Sequence, residues 1–121
     1  VAATAVGVPP EIMGIGPALA IRQLLDGAGL RLEDIARFEV NEAQGAQVLA
    51  VQRELGLDLD RLNVHGGAIA LGHPLAATGV RLTLTVARQL RALGARWGVA
   101  SACIGGGQGM ALLVENPDAV R

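Results

Sequence analysis

Short β-branched, apolar runs alternate along this chain with stretches whose apolar residues recur every three or four positions, and glycine or proline marks most of the changes between them. A two-residue period belongs to strands and a 3.6-residue period to helices, so this alternation restricts the fold more than any other feature. Residues 1–8 read as a strand, closed by Pro9 and Pro10. Gly14, Gly16 and Pro17 then read as a loop. Ala18, Ile21, Leu24, Leu25 and Ala28 follow at helical spacing, with Arg22, Gln23 and Asp26 opposite and Gly27 and Gly29 as a stop. Residues 35–40 read as a second strand, and 42–55 as a helix with Ala46, Leu49 and Ala50 on one face. A short extended piece, 62–65, runs into the Gly66-Gly67 turn. The spacing predicts a helix over 77–93, with Val80, Leu84, Ala87 and Leu90 inward and Arg81, Thr85, Arg88 and Gln89 outward. Residues 97–103 and 110–115 read as two strands around a glycine-rich turn, and 116–121 as a tail that frays.

The order β-α-β-α-(β)-α-β-β belongs to an α/β domain: a mixed, mostly parallel sheet covered by helices. The tight turn makes the last two strands an antiparallel pair. No repeat, linker or low-complexity tract divides the chain, so residues 1–121 are expected to form one domain.

Composition removes several functions. Hydrophobic residues make up 51% and charged residues 17% of the 121, which is not the balance of a disordered chain. A net charge of −1 draws the chain to neither nucleic acid nor anionic lipid. Phe38 and Trp97 are its aromatic residues, too few for a base-stacking platform. No apolar run is long enough to span a bilayer. The lone Cys103 cannot form an internal disulfide, which suits a reducing compartment, and a cytoplasmic location is expected. The chain opens on Val1 rather than Met, so the natural N-terminus, and any targeting signal, is expected upstream.

Three clusters carry chemistry. The first is Asn41-Glu42-Ala43, where the second strand ends. Its Asn is either a helix cap or an amide that holds a water or a substrate oxygen. The second is the run from Asn63 to Gly79, centred on Gly72-His73-Pro74. His73 is either a loop histidine with a structural bond or a general base held rigid by its neighbours. The third is Cys103-Ile104-Gly105-Gly106-Gly107-Gln108-Gly109. Here an inert thiol beside a hairpin turn competes with a thiol at a strand end, where backbone N–H groups can meet an oxyanion. The glycine pattern is not a P-loop, and the chain has no Lys to assist a phosphate. His65 and His73 do not make a convincing metal pair, and no metal is expected.

In this order the three clusters resemble the C-terminal signatures of the thiolases: Asn-Glu-Ala, then Asn-x-x-Gly-Gly-Ala-Ile-Ala-x-Gly-His-Pro, then Cys-x-Gly-Gly-Gly-x-Gly. The stretch from Pro10 to Pro17 resembles the family segment before its first C-domain helix. The resemblance covers nearly the whole chain. It implies one half of an αβαβα sandwich, with the nucleophilic Cys in an N-terminal half that is not part of this sequence. It implies that His73 polarises that Cys and helps bind the thioester oxygen, and that Cys103 moves a proton to or from the acetyl-CoA methyl. It further implies that Asn41 holds a water in the oxyanion hole shared with His73, and that the Gly105 N–H serves a second hole. Coenzyme A thioesters would be substrates, with no bound cofactor, and the reaction would be Claisen condensation or thiolytic cleavage of β-ketoacyl-CoA in fatty acid metabolism. The expected partners are acyl-CoA or CoA, the N-terminal half and further copies of the same protein, with no nucleic acid and no membrane.

The chain departs from the family at several positions. Gln44-Gly45 stand where the family usually has Phe-Ala, which alters the pocket wall. His65 replaces a frequent Asn, and Ala76 and Thr78 replace the commoner Gly and Ser. The isolated chain is expected to have no turnover, because one Cys cannot be both acyl carrier and proton shuttle. A mean hydropathy of +0.43 predicts an exposed apolar face and a tendency to associate. Two rivals remain. A ketoacyl synthase usually shows two His motifs, and Cys103 with its glycines favours the thiolase. A non-catalytic relic or assembly partner would suit Gln44-Gly45, although Asn41, His73 and Cys103 are all retained.

Overall fold

A computed structural model describes residues 2–119. Val1, the expected start of the first strand, and Val120 and Arg121 of the tail lie outside the described residues. The strands are β1 (Ala2–Gly7), β2 (Arg37–Val40), β3 (Trp97–Ile104) and β4 (Gln108–Glu115). The helices are α1 (Gly16–Ala28), α2 (Gly45–Leu55), the one-turn α3 (Ala68–Leu71) and α4 (Leu75–Leu93).

The sheet order is β1-β4-β3-β2. It is mixed, as expected, but less parallel between neighbours than the alternation predicts: β2 pairs with β3 in parallel, while β3–β4 and β1–β4 are antiparallel. The reason lies in the last hairpin. The helical crossovers return β1, β2 and β3 to one direction, and β4 folds back on β3 to lie between β3 and β1. Three strands therefore share a direction, yet the odd one sits inside the sheet.

α1 and α2 cover one face. Ile21, Leu24, Phe38, Val40, Val51 and Val99 meet there in a core with no charged member. α4 covers the other face, where Leu82, Val86 and Leu90 pack on Ala100. α1, α2 and α4 each end on a left-handed glycine, Gly29, Gly56 and Gly94, a conformation that costs other residues more.

Several expectations need correction. The stretch read as a loop near Gly14 is a 3-10 helix over Pro10–Ile15, and α1 begins at Gly16. α2 starts at Gly45 rather than 42, with Gln44 at its N-cap, so Asn41 does not cap it. The piece at 62–65 keeps one bridge, between Leu62 and Phe38, before Asn63 turns left-handed at φ 49°. The inner stripe of α4 is Thr78, Leu82, Val86, Gln89 and Leu90, while Val80 and Leu84 are exposed. α4 is apolar on two sides, so periodicity alone selects the wrong one. Finally, the tail does not fray from its first residue. Asn116 is buried, its N–H donates to the Arg96 carbonyl at 2.8 Å, and its side chain donates to the Ala95 carbonyl at 3.2 Å.

Candidate active site

The site forms where β2 and β3 end. The Asn41 N–H still donates to the Ser101 carbonyl at 2.8 Å, which continues the parallel ladder one residue beyond β2. Alternation along a strand sends Phe38 and Val40 to one face and Glu39 and Asn41 to the other. Asn41 is 1% exposed, and its Nδ2 lies 3.4 Å from His73 Nε2. The other ring nitrogen, Nδ1, is 2.7 Å from Thr78 Oγ1.

Thr78 bears on the tautomer. When its hydroxyl donates to the Pro74 carbonyl, 3.2 Å away, its oxygen accepts from His73 Nδ1–H. Nε2 is then left with a lone pair, to which Asn41 donates. A neutral imidazole oriented in this way can accept a proton at Nε2 and afterwards present Nε2–H to an oxyanion. Asn41 Oδ1 is buried without a hydrogen-bond partner among the described residues, and a half-turn of the amide would bring it to a protonated Nε2.

Cys103 is the last residue but one of β3, opposite Gly109, and is partly buried. A cleft of 330 Å³ brings it together with His73, Thr78, Gly105, Ala43 and Met13. Burial pushes the Cys103 thiol above its ordinary value, and a hydrogen bond with its own backbone opposes this only in part. These surroundings favour the thiol over the thiolate. The Gly105 carbonyl accepts from Gln108 Nε2 at 3.2 Å. Three of the four residues singled out in the sequence thus share one cleft, and Asn41 stands directly behind His73. His65 does not join them; its Nδ1 lies 3.3 Å from Gln89 Nε2. Gln44 is exposed at the start of α2. Among the described residues, no group of three or more His, Cys, Asp or Glu could hold a metal ion, and no helix is long and apolar enough to cross a membrane.

Two polar groups around the site were not singled out in the sequence. One is Thr78, noted there only as a substitution. The other is a buried set between β2 and α4. Glu39 is wholly buried, accepts from Gln89 Nε2 at 3.0 Å, and lies 3.5 Å from Arg81 Nη1. Burial raises the Glu39 carboxyl above the usual range, against the opposing pull of Gln89 and Arg81. The only signal for this set was period-two alternation along β2, which places Glu39 beneath α4.

The family model for the thiolase C-terminal domain matches residues 1–116. The chain belongs to the thiolase family. The 3-ketoacyl-CoA thiolase of Bacillus subtilis is 53% identical over 109 residues, 90% of this chain and 28% of that protein. The acetyl-CoA acetyltransferase of Chromobacterium violaceum is 52% identical over 111 residues, 92% of this chain and 28% of that protein. The crystal structure of human mitochondrial 3-ketoacyl-CoA thiolase in complex with CoA superposes with a TM-score of 0.94 at 51% identity, covering 96% of this chain and 29% of that one. The chain therefore spans less than a third of the thiolases it matches, and its α/β fold is that of their C-terminal part. Several large apolar side chains of this thiolase domain stand uncovered: Ile69, Leu71, Leu75, Val80 and Leu84 are exposed. Beside α4, a cleft of 390 Å³ is lined by Ala3, Leu82, Ala100, Ala102, Met110 and Leu112.

Proposed function

We propose that this chain supplies His73, Cys103, Asn41 and Gly105 to acyl transfer between coenzyme A thioesters, in a thiolase whose nucleophilic Cys lies outside these residues. The observation that carries this reading is the shared cleft of His73, Cys103 and Gly105, with Asn41 3.4 Å behind His73. The nucleophilic Cys takes the acyl group as a thioester. His73 Nε2 accepts the thiol proton, and the resulting Nε2–H joins an Asn41-held water in binding the thioester oxygen. In cleavage, the Cys103 thiol protonates the departing acetyl-CoA carbon; in condensation, its thiolate removes the same proton. Burial favours the thiol, so Cys103 rests as the acid. The Gly105 N–H would serve the second oxyanion hole, for the tetrahedral oxyanion formed at the acyl group on the nucleophilic Cys, and losing such a donor costs about 3–4 kcal/mol of transition-state stabilisation.

The uncovered face of α4 supports an N-terminal half as the covering partner, and the complete protein is read as a cytoplasmic homo-oligomer. The test uses the complete natural polypeptide and Cys103→Ala. Exchange of acetyl-CoA methyl protons with solvent deuterium is expected to slow by about 100- to 10,000-fold, the range for a lost general acid–base. Unchanged exchange would remove Cys103 from the mechanism. The pure 121-residue chain is expected to cleave no β-ketoacyl-CoA, and turnover by it would overturn the need for an outside nucleophile.

A further inference from the structure

Glu42 takes no part in the steps above, yet its carboxylate stands between the two segments that carry them. One oxygen accepts from Asn63 Nδ2 at 3.1 Å, and the other accepts from the Ile69 N–H at 3.0 Å. Each arm leads to a different part of the site. Asn63 is bound to β2 twice: its Oδ1 accepts from the Val40 N–H at 2.9 Å, and its Nδ2 donates to the Val40 carbonyl at 2.8 Å. The side-chain amide thus does for Val40 what a neighbouring strand would do, one residue before Asn41. Asn63 holds a left-handed backbone at φ 49°, a conformation that persists in a non-glycine residue when its surroundings enforce it. The other arm reaches α3, which ends one residue before Gly72 and two before His73.

The fit around the carboxylate is close. A Cβ on Gly67 would overlap the Glu42 carboxyl group, so any side chain there would push the carboxyl away from its two donors. Both groups facing the carboxylate are N–H donors. An ionised carboxylate, an acceptor with no proton to give, satisfies both at once, and its charge strengthens each bond.

We propose that Glu42 is a positioning residue of the acyl-transfer site: it ties the β2 end that carries Asn41 to the α3 segment that leads into His73, and so sets the Asn41–His73 contact. This rests on the acyl-transfer reading of that site. A misplacement of about 1 Å in a catalytic group can cost about 100-fold in rate, so the tie matters to chemistry even though Glu42 touches no reacting atom.

Glu42→Gln is the discriminating variant. It keeps the volume but offers one acceptor and one NH2 group, so one arm meets donor against donor. In the complete natural polypeptide, kcat for β-ketoacyl-CoA cleavage is expected to fall about 100-fold, with KM changed by less than about threefold, since the contact is to catalytic groups and not to substrate. In the same folded variant, the 15N signal of His73 Nε2 is expected to shift, while the Nδ1 signal, held by Thr78, stays. Wild-type kcat in the folded variant overturns the proposal, and so does a lost kcat with unshifted His73 signals, which would make Glu42 a fold staple only. If Glu42→Gln does not fold, Glu42→Asp keeps both acceptors on a shorter arm. It is expected to show the same split at about tenfold, and wild-type values there overturn the proposal equally. If the wild-type polypeptide cleaves no β-ketoacyl-CoA, the acyl-transfer reading falls instead, and the His73 signals alone decide whether Glu42 sets the contact.

Discussion

Phe38 and Glu39 are consecutive residues of β2, both wholly buried, and they lie in different surroundings. Phe38 points into the core under α1 and α2, among Ile21, Val51 and Val99, where no charged group is found. Glu39 points under α4, where it meets Gln89 and Arg81. Oε2 of Glu39, Oδ1 of Asn41 and Oε1 of Gln89 lack hydrogen-bond partners there among the described residues. One face of the sheet is an apolar interior with one buried amide, Gln47 of α2, which donates to the Gly14 carbonyl and leaves its Oε1 unpaired among the described residues. The other is polar at the β2 end, apolar and uncovered at the β4 end, and carries the candidate site between β2, β3 and α4. The dry face holds the strands in place; the polar face spends stability to keep ionisable groups and amides near His73.

If this contrast holds, a cavity on the dry face should be the most damaging single change. Phe38→Ala is expected to lower the unfolding free energy by about 3–5 kcal/mol, with a lower urea midpoint and little change in the urea dependence. A loss below about 1 kcal/mol would mean that the α1–α2 face is loosely packed and the contrast is false.

The polar face should respond differently, because its cost depends on charge. Arg81→Met leaves Glu39 buried without its cation and is expected to cost about 3 kcal/mol near neutral pH, the lower end for breaking a buried pair, because the 3.5 Å contact is longer than a charge-assisted hydrogen bond. Burial raises the Glu39 carboxyl in the folded protein, so folding favours its protonated form. The stability this confers is present below the unfolded carboxylate range and lost as pH rises through the raised folded value. Removing Arg81 raises that value further. The deficit of the variant should therefore be largest near neutrality and shrink on acidification, once both proteins hold Glu39 protonated. Urea unfolding of both proteins at about pH 4 and about pH 7 reads this directly, and a deficit that does not depend on pH would mean Glu39 is not the group left unpaired.

The two faces also differ in how far they were legible in the sequence. The dry face follows from periodicity in α1 and β2, where Ile21, Leu24, Leu25 and the β2 alternation repeat the buried pattern, but not in α2, where Ala46, Leu49 and Ala50 are exposed and Val48, Val51 and Leu55 are the buried stripe. The site residues were legible as motifs, since Asn41, His73 and Cys103 sit among glycines and prolines at strand ends. What holds them was not. Thr78 meets His73 Nδ1 from five residues away, and Glu42 reaches Asn63 and Ile69 across 21 and 27 residues; no local period encodes such contacts. Sheet order escaped for the same reason, since the place of β4 depends on where a hairpin folds back and not on its own pattern. α4 misled because apolar residues line it on two sides, and only one of them meets the sheet.

That second side gives the smallest effect on stability and the clearest separation. Val80 is 69% exposed and Leu84 47% exposed, one turn apart on α4. If they face a partner rather than this chain, replacing both with Gln removes no internal contact, and Gln is at least as good a helix former as Val. The unfolding free energy of the isolated domain should change by no more than about 0.5 kcal/mol, as for a surface substitution away from any buried network. Association should change far more. The wild-type domain leaves Val80 and Leu84 exposed on the side of α4 away from the sheet and is expected to self-associate, whereas the double variant should sediment as a monomer over the same concentrations. A stability loss above about 1.5 kcal/mol would show that these side chains already pack within the domain, and the uncovered face would then have to be sought around Met110 and Leu112 instead. Equal sedimentation of the two proteins, with stability unchanged, would mean that this pair is not what brings the domain to its partners.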